Sequence, residues 1–497
     1  MIWALILIPT LAGAAAFMVP SGRFVRVLLP VSAAAHFGMV MAAWTLPLPF
    51  SAAFDWLAAD ALSLLFLSVA SGLFLAVAIY AIFYLGPSRK RPIKDYLEGY
   101  QFADRSDSVF VGCLLLFLAA MTVVCLARHM GVLWVAVEAT TLASAPLIYH
   151  HRHHRSLEAA WKYLLICSVG ISLALLGNFF LAVSTAAASA QGREMSLLTP
   201  LLMKNAALLS PEWLKAAFLL MLVGYGTKMG LAPMHSWLPD AHSEAPSPVS
   251  ALLSGALLNC AFLAILRMQA LMEAAGLGAF GRERLIFFGL LSMAWAAMLL
   301  VSQTDYKRML AYSSVEHVGV MAVGVGLGGI AAVGALFHAV NHSLVKAALF
   351  LAAGNILAAM RSKDIHDVGG LLKALPASGA LWIAGLFAVT GSPPFGLFSS
   401  ELLILKGALL SGRFVVTGIY LAALALAFAA ILRVALKTAY GSPRAAEAGP
   451  GGSGRETFFA VAAPAALLTG VLILGLWLPP ALWRLLGEAA AALGGSF

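Results

Sequence analysis

Long apolar stretches separated by short polar segments make up most of this chain. Stretches of about twenty residues, the length that a bilayer requires, begin at about fourteen places, and we number them as spans 1 to 14. The pattern predicts an all-α, polytopic membrane protein of about fourteen transmembrane helices. The stretches begin near Ile2, Phe24, Asp60, Val109, Val132, Leu157, Trp213, Val249, Leu285, Met309, Ile330, Leu375, Phe414 and Phe458.

Composition supports the same class of protein. Of 497 residues, 62% are hydrophobic and 11% are charged, whereas about 25% of a soluble protein is charged. The net charge of +9 comes from basic residues in short loops, which the positive-inside rule explains better than nucleic-acid binding does. The chain is therefore expected to contact lipid and protein, and no nucleic acid.

The distribution of basic residues predicts an orientation. The cluster RKRPIK at 89–94 lies between spans 3 and 4, whereas the loop 45–59 has no basic residue. We therefore expect the loop around Lys90 to be cytoplasmic, the loop around Arg193 to be outside and both termini to be outside the bacterial inner membrane. Span 1 lacks the basic segment of a secretory signal, so we expect it to be retained.

Two spans are interrupted by glycine and proline. Span 7 contains GYGTKMGLAP at 224–233, and span 12 contains GSPPFG at 391–396. Broken helices at corresponding places in two halves point to an ion path between inverted repeats. The predicted segments are an N-terminal three-helix part at 1–105, five-helix repeats at 106–270 and 283–440, and a linker with a final helix at 441–497.

Ionisable residues inside the spans are the first candidates for chemistry, because burying each costs at least about 2.5–3.5 kcal/mol. Glu138 lies in the middle of span 5, where a smaller polar residue would join helices at lower cost. Lys228 lies at the break of span 7, where freed carbonyls can bind water. A carboxylate at a variable distance would decide whether this desolvated lysine keeps its proton.

The second half offers a similar set. His338, His342 and Lys346 follow one another at spacings of four in span 11, so they share one helix face and predict a proton relay. Glu401 follows the break of span 12. Lys406, five residues later, points elsewhere and is either a partner in the path or a side chain that reaches the membrane surface.

Other histidines and acids leave alternatives open. Glu316 and His317 in span 10 suit proton entry and helix packing equally well. The run HHRHH at 150–154 resembles a metal-binding tract, but without partner cysteines we expect a solvated loop.

The chain has no recognisable energy source of its own. Its four cysteines occur singly, which argues against an iron–sulfur, zinc or haem centre. It also lacks a phosphate-binding loop and a dinucleotide fingerprint. We therefore expect a proton path without cofactors, driven by other subunits.

Several motifs resemble the antiporter-like membrane subunits of respiratory complex I, a family that also includes subunits of membrane-bound hydrogenases and of multisubunit sodium/proton antiporters. Within the family, SSVEHVG and ALLSGALLNCA look most like the hydrogenase-4 component F branch. The motifs are HSWLPDAHSEAPSPVSALLSGALLN, TKMGLAP, QTDYKRMLAYSS, HSLVKAALF and GSPPFGLFSSE.

The resemblance implies two inverted five-helix repeats and half-channels joined by a hydrated axis. It matches Glu138, Lys228, Lys346 and Glu401 to the family's acid and lysine positions. One position departs from the pattern, because Asn259 stands where many complex I subunits have a lysine. Nearby candidates to replace that lysine are His235 and His242.

The preferred hypothesis is a proton-translocating subunit of a membrane-bound nickel–iron hydrogenase or formate hydrogenlyase-like complex. Nickel–iron and iron–sulfur centres would belong to a peripheral arm made of other chains. Two alternatives are a subunit of a multisubunit sodium/proton antiporter and a subunit of a proton-pumping NADH:quinone oxidoreductase.

Overall fold

A computed structural model describes residues 1–19, 21–52, 55–85, 93–94, 101–102, 104–186, 192, 196–441 and 456–494. The basic cluster at 89–91, Arg193 and most of the predicted linker lie outside the described residues.

Helices dominate the described part of the chain, and we number them in chain order. Each of the fourteen apolar stretches coincides with a helix or with a pair of helices. The helices are α1 Ile2–Met18, α2 Gly22–Ala43, α3 Ala61–Tyr84, α4 Asp107–Leu126, α5 Met130–Ile148, α6 His154–Ser184, α7 Thr199–Lys204, α8 Pro211–Met229, α9 Trp237–Glu244, α10 Ser247–Leu252, α11 Leu258–Ala274, α12 Gly278–Val301, α13 Tyr306–Leu327, α14 Gly329–Met360, α15 Leu371–Ala374, α16 Pro376–Val389, α17 Gly396–Leu410, α18 Phe414–Tyr440, α19 Phe458–Leu476 and α20 Pro480–Ala491.

Eleven helical segments in the described part are long and apolar enough to cross a membrane. Span 1 is shorter, at 17 residues, and spans 7 and 12 are each divided into two helices. The prediction of an all-α, multi-pass membrane protein with two broken spans is confirmed, whereas the count of fourteen is not.

Short helical turns and strands complete the described elements. A π-helical turn, Leu253–Leu257, joins α10 to α11, and 3-10 turns cover Tyr149–His151 and Ala206–Leu208. Two antiparallel hairpins pair β1 (Phe50–Ala52) with β2 (Leu57–Ala59) and β3 (Ile93–Lys94) with β4 (Gln101–Phe102). The apolar pattern did not predict these hairpins, because strands of two or three residues carry no detectable periodicity.

Close helix contacts in the interior depend on glycine. Gly170 in α6 faces Gly224 in α8, where an added Cβ on Gly224 would lie 2.6 Å from the carbonyl oxygen of Gly170. Gly289 in α12 and Gly319 in α13 face each other in the same way. Small residues at such crossings let helix backbones approach closely inside a membrane.

At the break of span 7, backbone carbonyls of α8 accept hydrogen bonds from nearby N–H groups. Gly230 has a left-handed conformation, with φ of 89°, and its N–H donates to the carbonyl of Gly226 at 2.9 Å. The indole N–H of Trp237, at the start of α9, donates to the carbonyl of Thr227 at 2.8 Å. Because these carbonyls accept hydrogen bonds, the backbone at the end of α8 is fixed, and so are the positions of its last side chains.

The expectation of a solvated loop at 150–154 is wrong for two of its histidines. His150 is buried, and its ring lies 4.7 Å from the ring of Phe110. His153 is also buried, and its Nδ1 accepts the N–H of Arg155 at the start of α6. The loop is too short to hold the rings away from the helices, so they pack and cap instead.

Candidate proton-transfer site

Lys228 is fully buried in the last turn of α8. Its ammonium donates to Thr141 Oγ1 at 2.5 Å and to the hydroxyl of Tyr163 at 2.8 Å. The ammonium also lies 4.6 Å from the centre of the Tyr163 ring. Ser144, 2.7 Å from the tyrosine hydroxyl, donates its own proton to a backbone carbonyl, so the tyrosine must donate to the serine. Lys228 is therefore held by two hydroxyls from α5 and α6.

Glu138 is joined to this lysine through Thr141. The threonine hydroxyl lies 3.2 Å from Glu138 Oε2, and Ser168 Oγ lies 3.3 Å from the other carboxylate oxygen. The carboxylate and the ammonium, both in described residues, form no direct ion pair. The threonine hydroxyl accepts from Lys228 and donates to Glu138, so the three groups form a continuous path. We call Glu138, Thr141 and Lys228 the first cluster.

The second cluster is built around histidines from α13 and α14. His317 Nδ1 lies 3.0 Å from His338 Nε2, and His338 Nδ1 lies 3.0 Å from Ser400 Oγ in α17. The ring of His342 lies 5.0 Å from that of His317, and neither of its nitrogens has a hydrogen-bond partner among the described residues. Glu316 is buried beside them, with its Oε2 3.7 Å from His317 Nε2.

Glu401 in α17 approaches the same histidines, and the break of span 12 makes room for it. A Cβ on Gly391 would lie 2.0 Å from Glu401 Oε2, so any other residue there would displace the carboxylate from this position. The left-handed φ of 64° at Gly391 also favours glycine. One ligand atom from each of His317, His338 and Glu401 lies within 4.8 Å of the others, close enough to share a proton or a metal ion. A second such group consists of Asp104, His150 and His151.

Lys346 lies two turns after His338 on α14 and is also fully buried. Its ammonium donates to the carbonyl of Leu310 at 2.9 Å and makes a short hydrogen bond to Ser313 Oγ. Both lysines of the site are thus buried and held by uncharged oxygens, one beside each cluster.

Asn259 connects the two halves next to the π-helical turn. Its amide N–H donates to Ser343 Oγ at 2.6 Å, and Ser343 lies one turn before Lys346 on α14. The amide oxygen of Asn259 has no partner among the described residues. Such π-helical turns occur frequently at functional sites.

The remaining predicted residues lie at different depths. His242 is buried against the ring of Phe350, with ring centres 5.0 Å apart, and His235 lies 6.3 Å from the ring of Tyr312. Lys406 is exposed on α17. The structure therefore places His242 in the interior and leaves Lys406 on the lateral surface.

Comparison with known families decides what kind of protein carries this arrangement. The NADH:quinone oxidoreductase/Mrp antiporter transmembrane family matches residues 127–427, more than half of the chain. The chain belongs to this family. The matched range contains both clusters, and the family resemblance predicted from the motifs is confirmed.

Three relatives come from different kinds of complex. The chain is 37% identical to the hydrogenase-4 component F homolog of Methylacidiphilum infernorum over 66% of this chain and 68% of that protein. It is 31% identical to NADH-quinone oxidoreductase subunit N of Desulforudis audaxviator, over 82% and 79% respectively. The fold matches a chain of the Mrp complex from Dietzia sp. with a TM-score of 0.83 and 22% identity, covering 99% of this chain and 97% of that one.

The sequence analysis predicted the charged residues of the site but not the hydroxyl side chains that lie between them. Thr141, Tyr163 and Ser400 each contact a predicted residue. A threonine or tyrosine in an apolar span carries no cost that marks it as unusual, so only the contacts reveal it. A weak signal was available for Thr141, which lies three residues after Glu138 and therefore on the same face of α5.

Proposed function

We propose that this chain is a proton-translocating subunit of a redox-driven membrane complex, of the hydrogenase-4 type. The observation that carries the proposal is the pair of fully buried lysines, Lys228 and Lys346, each held by hydroxyl or carbonyl oxygens. Similarity to a hydrogenase-4 component F homolog supports the choice of complex. Nickel–iron and iron–sulfur centres would lie in a peripheral arm made of other chains. That arm would carry out the redox chemistry, and we place none in this chain.

The first cluster provides a balanced route for one proton. The ammonium of Lys228 gives a proton to Thr141 Oγ1 as the threonine hydroxyl gives its own to Glu138 Oε2. Lys228 becomes neutral, Glu138 becomes neutral and Thr141 is unchanged. The hydrogen bonds at 2.5 and 3.2 Å are already oriented for this transfer, and a neighbouring charge would bias it in either direction.

Glu138 also indicates where a neighbouring membrane subunit binds. It is half-buried, and the residues one turn on either side of it, Val135 and Leu142, are 57% and 62% exposed. A carboxylate facing lipid at this depth would cost several kcal/mol. We therefore infer that another membrane subunit covers this face of α5, which places its charges within reach of the first cluster.

The chemistry of the second cluster favours protons over sodium. Sodium is a hard cation, and such cations prefer shells of oxygen ligands. Around His338 the polar groups are mainly imidazole nitrogens, with carboxylates from Glu316 and Glu401. An imidazole can accept a proton at one ring nitrogen and release one from the other, so the cluster suits a proton relay.

We also propose the repeat organisation and membrane orientation predicted from the sequence. In support, α6 has 31 residues and α14 has 32, and each precedes a broken span. The proposed repeats are 106–270 and 283–440, between the segments 1–105 and 441–497. Placement in the bacterial inner membrane with both termini outside belongs to the same proposal.

Purification of the complex through a tag on this chain tests the proposed assembly. Co-purifying nickel–iron and iron–sulfur proteins, together with hydrogen-linked proton uptake in sealed vesicles, are expected. Small antiporter subunits with sodium-dependent transport and no redox protein would overturn the proposal. Flavin-containing NADH dehydrogenase proteins would instead favour the complex I alternative.

A further inference from the structure

Two surface cavities of similar size lie at opposite ends of the packed pair α12 and α18. The first, of about 230 Å³, lies where both helices end and is lined by Ser302, His366, Arg433 and Lys437, among others. The second, of about 260 Å³, lies where both helices begin and is lined by residues that include Arg413. Neither cavity belongs to the proton-transfer site.

The second cavity is electrically balanced. Arg413 forms an ion pair with Glu283, which also lines it. Arg282 lies 2.6 Å from Glu273 Oε1. Each arginine of this cavity therefore has its own carboxylate, and the cavity offers no net charge to a ligand.

The first cavity has an excess of positive charge. Arg433 donates one N–H to the carbonyl of Val301 at 2.7 Å, which leaves four of its five donors without a partner among the described residues. Lys437 Nζ lies 2.5 Å from His366 Nδ1, so this nitrogen accepts from the ammonium. No carboxylate is among the described residues that line this cavity; the nearby Asp364 accepts the backbone N–H of His366.

Exposed apolar side chains continue from this cavity along both helices. On α12, Trp295 and Met298 are 45% and 57% exposed and lie on the ridge that leads to Ser302. On α18, Leu436 is 52% exposed beside Lys437. A cationic pocket that continues into an apolar slot fits a ligand with an anionic head and hydrocarbon chains.

We propose that this cavity binds the phosphate headgroup of an anionic phospholipid. Arg433 and Lys437 contact the phosphate, and an acyl chain lies along Trp295 and Met298. Basic pockets between transmembrane helices bind such headgroups. The bound lipid would fill the groove between α12 and α18, on the lateral surface of the second proposed repeat.

The test measures lipid retained by the purified full chain in nanodiscs of phosphatidylcholine, with or without phosphatidylglycerol, by native mass spectrometry. Each cation near a membrane surface contributes about 1 kcal/mol, or about fivefold. The double variant Arg433→Gln with Lys437→Gln is therefore expected to weaken phosphatidylglycerol binding by about 25-fold. Arg413→Gln, in the balanced cavity, is the matched control and is expected to retain the lipid like the wild type.

A second arm distinguishes the source of the phosphate. Inorganic phosphate added to nanodiscs of phosphatidylcholine alone should bind no more strongly to the wild type than to the double variant. Equal retention of phosphatidylglycerol by the double variant would overturn the proposal. Displacement of the lipid by millimolar inorganic phosphate would also overturn it, in favour of a site for free phosphate. Both cations are on the surface, and thermal unfolding in phosphatidylcholine is expected to be the same for all variants.

Discussion

The two buried clusters have similar helical surroundings but contain different polar side chains. At both clusters a long helix packs beside a broken span, α6 beside α8 and α14 beside α17. The buried lysine is on the broken span in the first case and on the long helix in the second. In the first half a single hydroxyl, that of Thr141, joins Lys228 to its carboxylate. In the second half, three imidazoles and two carboxylates lie together. The first cluster therefore depends on each member, whereas the second offers alternative contacts.

The largest effect is expected from removing either end of the first path. Glu138→Gln keeps the shape of the side chain but removes its charge, and it should reduce redox-driven proton uptake by at least about tenfold, or ~1.4 kcal/mol. Lys228→Ala should do at least as much. The double variant should be little worse than either single variant, because the two groups act as one unit.

Proton uptake in sealed vesicles measures the effect of the Glu138 and Lys228 variants, and assembly of the complex is followed in parallel. Both single variants are expected to assemble, because neither side chain forms a direct ion pair that anchors the fold. Wild-type uptake by both assembled variants would mean that the pair is structural, and the comparison between the two clusters would then lose its basis.

Thr141 gives the sharpest test of the comparison. Thr141→Val keeps the volume and removes the hydroxyl, the one group among the described residues that forms hydrogen bonds with both Lys228 and Glu138. The loss of its hydrogen bonds, at about 1 kcal/mol, should slow proton uptake about fivefold. Thr141→Ser retains a hydroxyl and should restore most of the rate.

Thr140→Val is the matched control for this variant. Thr140 is also buried, but its hydroxyl donates only to the carbonyl of Val137 at 2.6 Å. Proton uptake should therefore stay close to the wild-type rate. If Thr140→Val and Thr141→Val slow uptake equally, the effect comes from packing of α5 and not from the path.

These contacts show what the sequence could and could not predict. Glu138, Lys228 and Lys346 stood out because a charge in an apolar span needs a reason to persist. Their partners did not, because hydroxyls are tolerated anywhere in a helix and become informative only when two distant helices bring them together. The division of span 7 was predictable from Gly230 and Pro233, whereas the π-helical turn before Asn259 has no sequence signal of comparable strength.

The second cluster should tolerate single changes better. His338→Leu removes two hydrogen bonds, to His317 and to Ser400. Each contributes roughly 0.5–1.5 kcal/mol, and because the other groups of the cluster offer alternative contacts, uptake should slow only about threefold, the low end of that range. His342→Leu should have a smaller effect, because neither ring nitrogen of His342 has a hydrogen-bond partner in the part of the chain that the structure describes. The two variants are compared in the same vesicles. A tenfold loss in His342→Leu would show that the stacked ring is essential and that the cluster has no alternative route.

The smallest effect is expected at the junction between the clusters. Asn259→Lys should be tolerated, because the resemblance to complex I subunits implies that this position accommodates a lysine. Asn259→Leu removes the amide that donates to Ser343 Oγ, while Ser343 still donates to the carbonyl of Ala339 at 2.6 Å. The serine is therefore not left without a partner, and the variant should assemble normally. If protons cross between the two clusters through polar groups at this point, the leucine variant should slow uptake about twofold, through the loss of one hydrogen-bonding group.

Proton uptake in vesicles that contain the leucine variant, the lysine variant or the wild-type chain distinguishes these cases. Equal rates in all three would mean that protons bypass Asn259, so that each cluster exchanges protons with its own side of the membrane.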